Sequence, residues 1–128
     1  MIKKEELRLG NWILAVWDDG FDESEMFITG NSVEKGLELE NANGEYNFIK
    51  WEYVFPLHIY PWHLKYAGFI EKAWEIFILQ DWEIDIQNKK LVWKDKLFFG
   101  YIRYIHQLQN LVFIISGIEL DFKEMNEG

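Results

Sequence analysis

Only one stretch of this chain carries an apolar repeat of helical period. Ile105, Leu108, Val112 and Ile115 recur at three- and four-residue intervals, with Leu111 widening the stripe. Everywhere else the apolar residues alternate, or run in short blocks bounded by turn residues, as strands do. "WEIDIQ" at 82–87 is the clearest case, with Trp82, Ile84 and Ile86 on one face and Glu83, Asp85 and Gln87 on the other. One helical stripe among many short strands restricts the fold to α+β, mostly β, with a single substantial helix laid on a sheet.

The first half reads as all β. "NWILAVW" (11–17) is rich in strand formers and follows Gly10. An acidic loop, "DDGFDESE" (18–25), separates it from "MFITGNSV" (26–33), and "GLELEN" (36–41) alternates. Asn43-Gly44 signals a type I′ hairpin turn, with "EYNFIKWEYVF" (45–55) as the return strand. Residues 1–57 are expected to form a small SH3-like barrel or a bent sheet.

Residues 58–68 read as a connector. Pro61 suits the first turn of a short helix and Gly68 the residue that stops it. Trp62, Leu64 and Phe69 are expected to dock it. Residues 69–128 read as a β-meander with the C-terminal helix packed on it. "AWEIFIL" (73–79) supplies a strand before "WEIDIQ", and "LFFGY" (97–101) one after it. A two-residue Asn88-Lys89 loop would set Ile84 opposite Trp93, Ile86 opposite Leu91 and Glu83 opposite Lys94. Gly117 ends the helix, and "IELDF" (118–122) offers one more short strand.

Composition narrows the function classes. The chain has no cysteine, so disulfides and thiolate metal sites are excluded and the cytoplasm is the expected compartment. The N-terminus lacks the apolar region of a signal peptide, and no apolar run reaches the roughly 18 residues of a membrane span. A net charge of −9 disfavours duplex nucleic acid. One segment runs against that total: within 89–103, Lys89, Lys90, Lys94, Lys96 and Arg103 face Asp95 alone. The simplest account is a solvated strand face; the other is a patch for an anionic partner.

No nucleophile motif and no phosphate-binding glycine signature is present, and 18–25 lacks EF-hand spacing. His58, His63 and His106 are too scattered to suggest zinc, and Glu83 with Asp85 reads as a surface ladder. The expectation is therefore a protein that is not an enzyme and takes no cofactor or metal.

The most unusual stretch is "YIHQLQN" (104–110), which sets His106, Gln107, Gln109 and Asn110 at the start of the buried stripe. As a functional strip these amides would meet a partner's backbone or bases; as structure they would satisfy backbone groups at the edge of the neighbouring sheet. The structural reading is preferred. Trp62 and Tyr66, on the connector, join them as candidate interaction residues.

"ELRLGNWI", "PLHIYPWHLKYAGF" and "YIHQLQNLVFIISGIEL", in this order over nearly the whole chain, resemble a family of small uncharacterised proteins. The family is common in bacteroidete genomes, prophages and mobile elements. Tyr60 stands here where a capping Thr would be usual. The resemblance implies a genomic setting and no activity. Together with the surplus of aromatic residues, it points to a binding or adaptor protein whose partner is another protein or a second copy of the chain. The alternatives are a phage counter-defence factor that mimics nucleic acid or sequesters a nucleotide, and an enzyme with an unrecognised site.

Overall fold

The structure, a computed structural model, describes residues 6–17, 23–32, 36–99 and 102–122. The core of the expected acidic loop, 18–22, lies outside them, as do Val33, Gly100 and Tyr101 of the expected strands. The fold is α+β and mostly β: two antiparallel five-stranded sheets and a main helix near the C-terminus.

The first sheet holds β1 (Trp12–Val16), β2 (Glu23–Ser32), β3 (Gly36–Glu40), β4 (Tyr46–Ile49) and β5 (Val54–Phe55), in the order β4-β3-β2-β1-β5. Among the described residues β4 and β5 do not pair, so the sheet is bent and open, and no barrel closes. The expected long return strand is broken by a 3-10 turn at Trp51–Tyr53, which lets β5 cross over to β1. The Asn43-Gly44 hairpin exists, but it is not a type I′ turn. Asn41 closes on Glu45, the Gly44 N–H donates to Asn41 O at 3.1 Å, and only Gly44 has positive φ, +85°. That is a type I turn with a glycine bulge. It is fixed by Asn41 Oδ1, which accepts from the N–H groups of Asn43 and Glu45 at 2.9 and 3.0 Å.

A connector follows, with α1 (Pro61–Tyr66) entered at Pro61 and stopped at Gly68, φ +99°. Leu64 and Phe69 dock it in the core, whereas Trp62 faces solvent. The second sheet is a continuous meander of β6 (Ile70–Ala73), β7 (Ile76–Leu79), β8 (Trp82–Asp85), β9 (Lys90–Trp93) and β10 (Leu97–Phe99). The strand expected over 73–79 is thus two strands with a turn at Trp74 and Glu75 between them.

The β8–β9 register differs from the expected one by two residues: Ile84 opposes Leu91 and Trp82 opposes Trp93. Asp85 is the reason. Its carboxylate accepts from Asn88 N–H at 3.1 Å and from Asn88 Nδ2 at 2.8 Å, and Lys89 N–H closes on Ile86 O at 3.3 Å, so the loop takes four residues. Because the shift is even, every apolar side chain stays on the face the alternation assigned. Glu83 loses Lys94 as a partner and pairs with Lys72 at 3.0 Å.

The last element is α2 (Ile105–Ser116), ended by Gly117 at φ +76°. Its stripe of Ile105, Leu108 and Val112 lies in a core that takes Trp12 from the first sheet and Phe77, Trp82, Ile84 and Leu91 from the second. The opposite face of the first sheet has its own core of Ile13, Ala15, Met26, Ile28, Leu37, Leu39, Ile49 and Val54. β1 therefore buries both faces, which is why "WILAV" is apolar without alternation. Residues 118–122 form no strand; Leu120 and Phe122 are nonetheless buried against the main core.

Candidate functional site

Tyr104 enters α2 in extended conformation, leaving the helix without a Ser, Thr or Asn cap. Gln107, three residues on, turns back and supplies the reciprocal half of a capping box: its Oε1 accepts from the N–H groups of Arg103 and Tyr104 at 3.0 and 3.1 Å. α1 starts in the same way. His63 Nδ1 accepts from Tyr60 N–H at 3.0 Å, the half of a capping box that the third helical residue supplies. This bond places the imidazole proton on Nε2, which faces Glu25 Oε1 at 3.1 Å.

His106, Gln109 and Asn110 project from α2 onto the segment leading into β1. Gln109 is wholly buried. Its Oε1 accepts from Trp12 N–H at 2.8 Å and from Asn11 Nδ2 at 3.4 Å, while Nε2 donates to Gly10 O and Leu120 O, each at 3.0 Å. All four hydrogen-bonding positions of the amide are occupied. Asn110 donates to Glu6 O at 2.8 Å and accepts from Asn11 Nδ2 at 2.9 Å. His106 is buried, stacks on Tyr104 at 5.9 Å between ring centres, and sets Nε2 3.0 Å from Glu6 Oε1. Its Nδ1 is buried with no hydrogen-bond partner among the described residues.

Arg8 closes the same seam. Its guanidinium meets Glu119 through both terminal nitrogens, at 2.8 and 3.1 Å, donates to Gln109 O at 3.2 Å, and lies 4.6 Å from the centre of the Phe113 ring. Of the candidates taken from the sequence, His106, Gln109 and Asn110 therefore converge on one polar seam joining α2 to residues 6–12. Gln107 turns the other way, into the cap, and Trp62 and Tyr66 sit apart on α1.

The surface offers a second set of residues. Trp62 is 43% exposed and stacks on Tyr60 with ring centres 4.9 Å apart. α1 packs against β6. That strand is the edge of the second sheet, and all four of its residues are exposed. Ile70, at its start, is 71% exposed, and Trp74, at the tip of its hairpin, is 72% exposed. Tyr46 and Phe48 lie exposed on β4, an edge of the other sheet. Among the described residues no three His, Asp or Glu side chains come close enough to hold a metal ion. No helix there is long and apolar enough to cross a membrane.

Sequence reasoning passed over Asn11, Arg8 and Glu119, whose partners lie about a hundred positions away, and over Ile70 and Trp74. For these two a signal existed: Trp74 and Glu75 interrupt the alternation of the segment, and a large apolar residue at a hairpin tip has no core to enter. Compared with protein-family models, curated proteins and solved structures, the chain matches none.

Proposed function

We infer that this protein is a non-enzymatic binding module of a phage or mobile element, acting through contact with another protein. The reading rests on one observation above all: among the described residues the outer edge of β6 carries no neighbouring strand, and it is flanked by Ile70 and Trp74, both more than 70% exposed. Such an edge is a template for an extended segment of a partner, with main-chain hydrogen bonds giving affinity and side-chain contacts giving selectivity. Tryptophan is the residue type most enriched where binding energy concentrates. Trp62 and Tyr60, on the connector whose helix packs against β6, add an aromatic platform near this edge.

Affinity capture from host lysate tests the reading. The wild-type chain is expected to retain a discrete protein, and Ile70→Glu with Trp74→Glu to lose it without a change in melting temperature. A strictly monomeric chain that retains a nucleotide or DNA and no protein would overturn it.

A further inference from the structure

α1 and α2 are entered in the same way. In each, a tyrosine (Tyr60 or Tyr104) stands at the cap position in extended conformation, and the third helical residue reaches back to accept its N–H. In α2 the acceptor is an amide oxygen, Gln107 Oε1, which remains an acceptor whatever the pH. In α1 it is His63 Nδ1, at 3.0 Å, a nitrogen that accepts only while it carries no proton. One task is thus given to a fixed group at one helix and to a titratable group at the other.

The imidazole cannot keep both of its bonds once it is charged. His63 is buried, with Nδ1 on Tyr60 N–H and Nε2 3.1 Å from Glu25 Oε1 on β2. A second proton, on Nδ1, sets two donors against each other across 3.0 Å, while the new charge tightens the contact to Glu25. A flipped ring puts carbon at both places and loses Glu25 as well. Protonation therefore moves the hold of the ring from the connector to the first sheet. Among the described residues, Glu25 is the charged side chain that touches the ring. Tyr60 from the connector, Trp62 from α1 and Phe122 from the C-terminal segment meet it with aromatic rings. Tyr60 and Trp62 are also the exposed stacked pair, with ring centres 4.9 Å apart, that this entry turn carries at the surface.

We propose that His63 is a proton-operated latch: neutral, it closes the entry of α1 and fixes the Tyr60–Trp62 stack; protonated, it releases both. The latch is independent of protein docking at β6. NMR of the full chain between about pH 8 and 5, the span in which imidazoles titrate, tests it. At the upper end the ring nitrogens of His63 should report the Nε2–H form, with Nδ1 accepting. On acidification the Tyr60 amide and the Trp62 indole signals should move with the midpoint of those ring nitrogens. Protection of the Tyr60 amide against exchange should fall roughly two- to tenfold, the worth of one hydrogen bond. His63→Gln offers an oxygen in place of the imidazole, as Gln107 does in α2, so its spectra should show a folded chain in which this component of the titration is gone. The wild-type titration decides even where that variant is unstable. An Nδ1–H form at neutral pH, or a His63 ring that keeps one proton throughout, would overturn the latch. So would a Tyr60 amide or Trp62 indole that ignores the titration of His63, or the same component persisting in His63→Gln.

Discussion

Replacing Gln109 by methionine, a side chain of similar length with no amide, isolates the role of the polar seam. The change removes the partners of two buried backbone groups, Trp12 N–H at 2.8 Å and Leu120 O at 3.0 Å, and of the partly buried Gly10 O at 3.0 Å. The fourth contact, to Asn11 Nδ2 at 3.4 Å, is long and counts for little, since Asn11 keeps its bond to Asn110 at 2.9 Å. An orphaned buried polar group costs about 1–3 kcal/mol, the partly buried Gly10 O less, and the added apolar surface and local relaxation recover part of it, leaving roughly 2–5 kcal/mol. Against a total stability of about 5–15 kcal/mol for a domain, that leaves the variant marginal. Urea unfolding would show a lower midpoint at an unchanged slope, and the Trp12 amide would exchange faster with solvent. Gln107→Ala is the matched control: it removes only a helix cap and should cost about 1 kcal/mol. A loss below about 1 kcal/mol for Gln109→Met would refute the reasoning, because it would mean that water reaches these groups.

Four further perturbations test other parts of the structure. Leu108→Ala, in the centre of the main core, should cost about 2–5 kcal/mol in a thermal or urea melt. His106→Ala should cost less, since it releases an orphaned Nδ1 and leaves Glu6 at the surface. Gly36→Ala combines φ +92° with a Cβ 2.5 Å from Ile49 O, and should displace the β3–β4 ladder and lower the melting temperature sharply. Hydrogen bonding from Asn88 holds the Asp85 carboxyl below its ordinary pKa, so its contribution to stability is present above the unfolded pKa and lost as pH falls through the lower folded one. In Asn88→Ala, which keeps the backbone N–H, an NMR titration should find the Asp85 pKa raised toward the ordinary carboxylate range, with a shallower acid limb in stability.

Burial on one side leaves a strong mark on sequence, and that is why the elements with alternating or helical stripes were legible. Trp82, Ile84 and Leu91 read correctly as one face even though the loop between their strands was two residues longer than expected. The loop length depends on Asp85 reaching Asn88, a local hydrogen-bond choice that periodicity does not encode. The same limit appears at 118–122, where alternation marks the inward Leu120 and Phe122 although no ladder forms. Glu75 at φ +62° and Gln80 at φ +53° turn the chain without the glycine or asparagine that usually announces a hairpin. The polar seam was legible as a cluster through its unusual composition. Its partners were not, because Asn11 and Gln109 meet across 98 positions and nothing local records the encounter.

That separation has a consequence for how the chain reaches this state. The first sheet encloses a core of its own, drawn wholly from residues 13–54, and can consolidate early. Trp12 on its other face must wait for α2. At about 5–20 residues per second, translation of the 98 positions between Asn11 and Gln109 takes roughly 5–20 s, long against the microseconds to seconds in which small domains fold. In the later part of that interval, once β5 has been made, a nascent chain carries a sheet with one apolar face open and an arginine, Arg8, whose carboxylate partner at 119 has yet to be made. Emergence of α2 from the ribosome, more than hydrophobic collapse, sets the moment at which residues 6–12 are locked onto the helix.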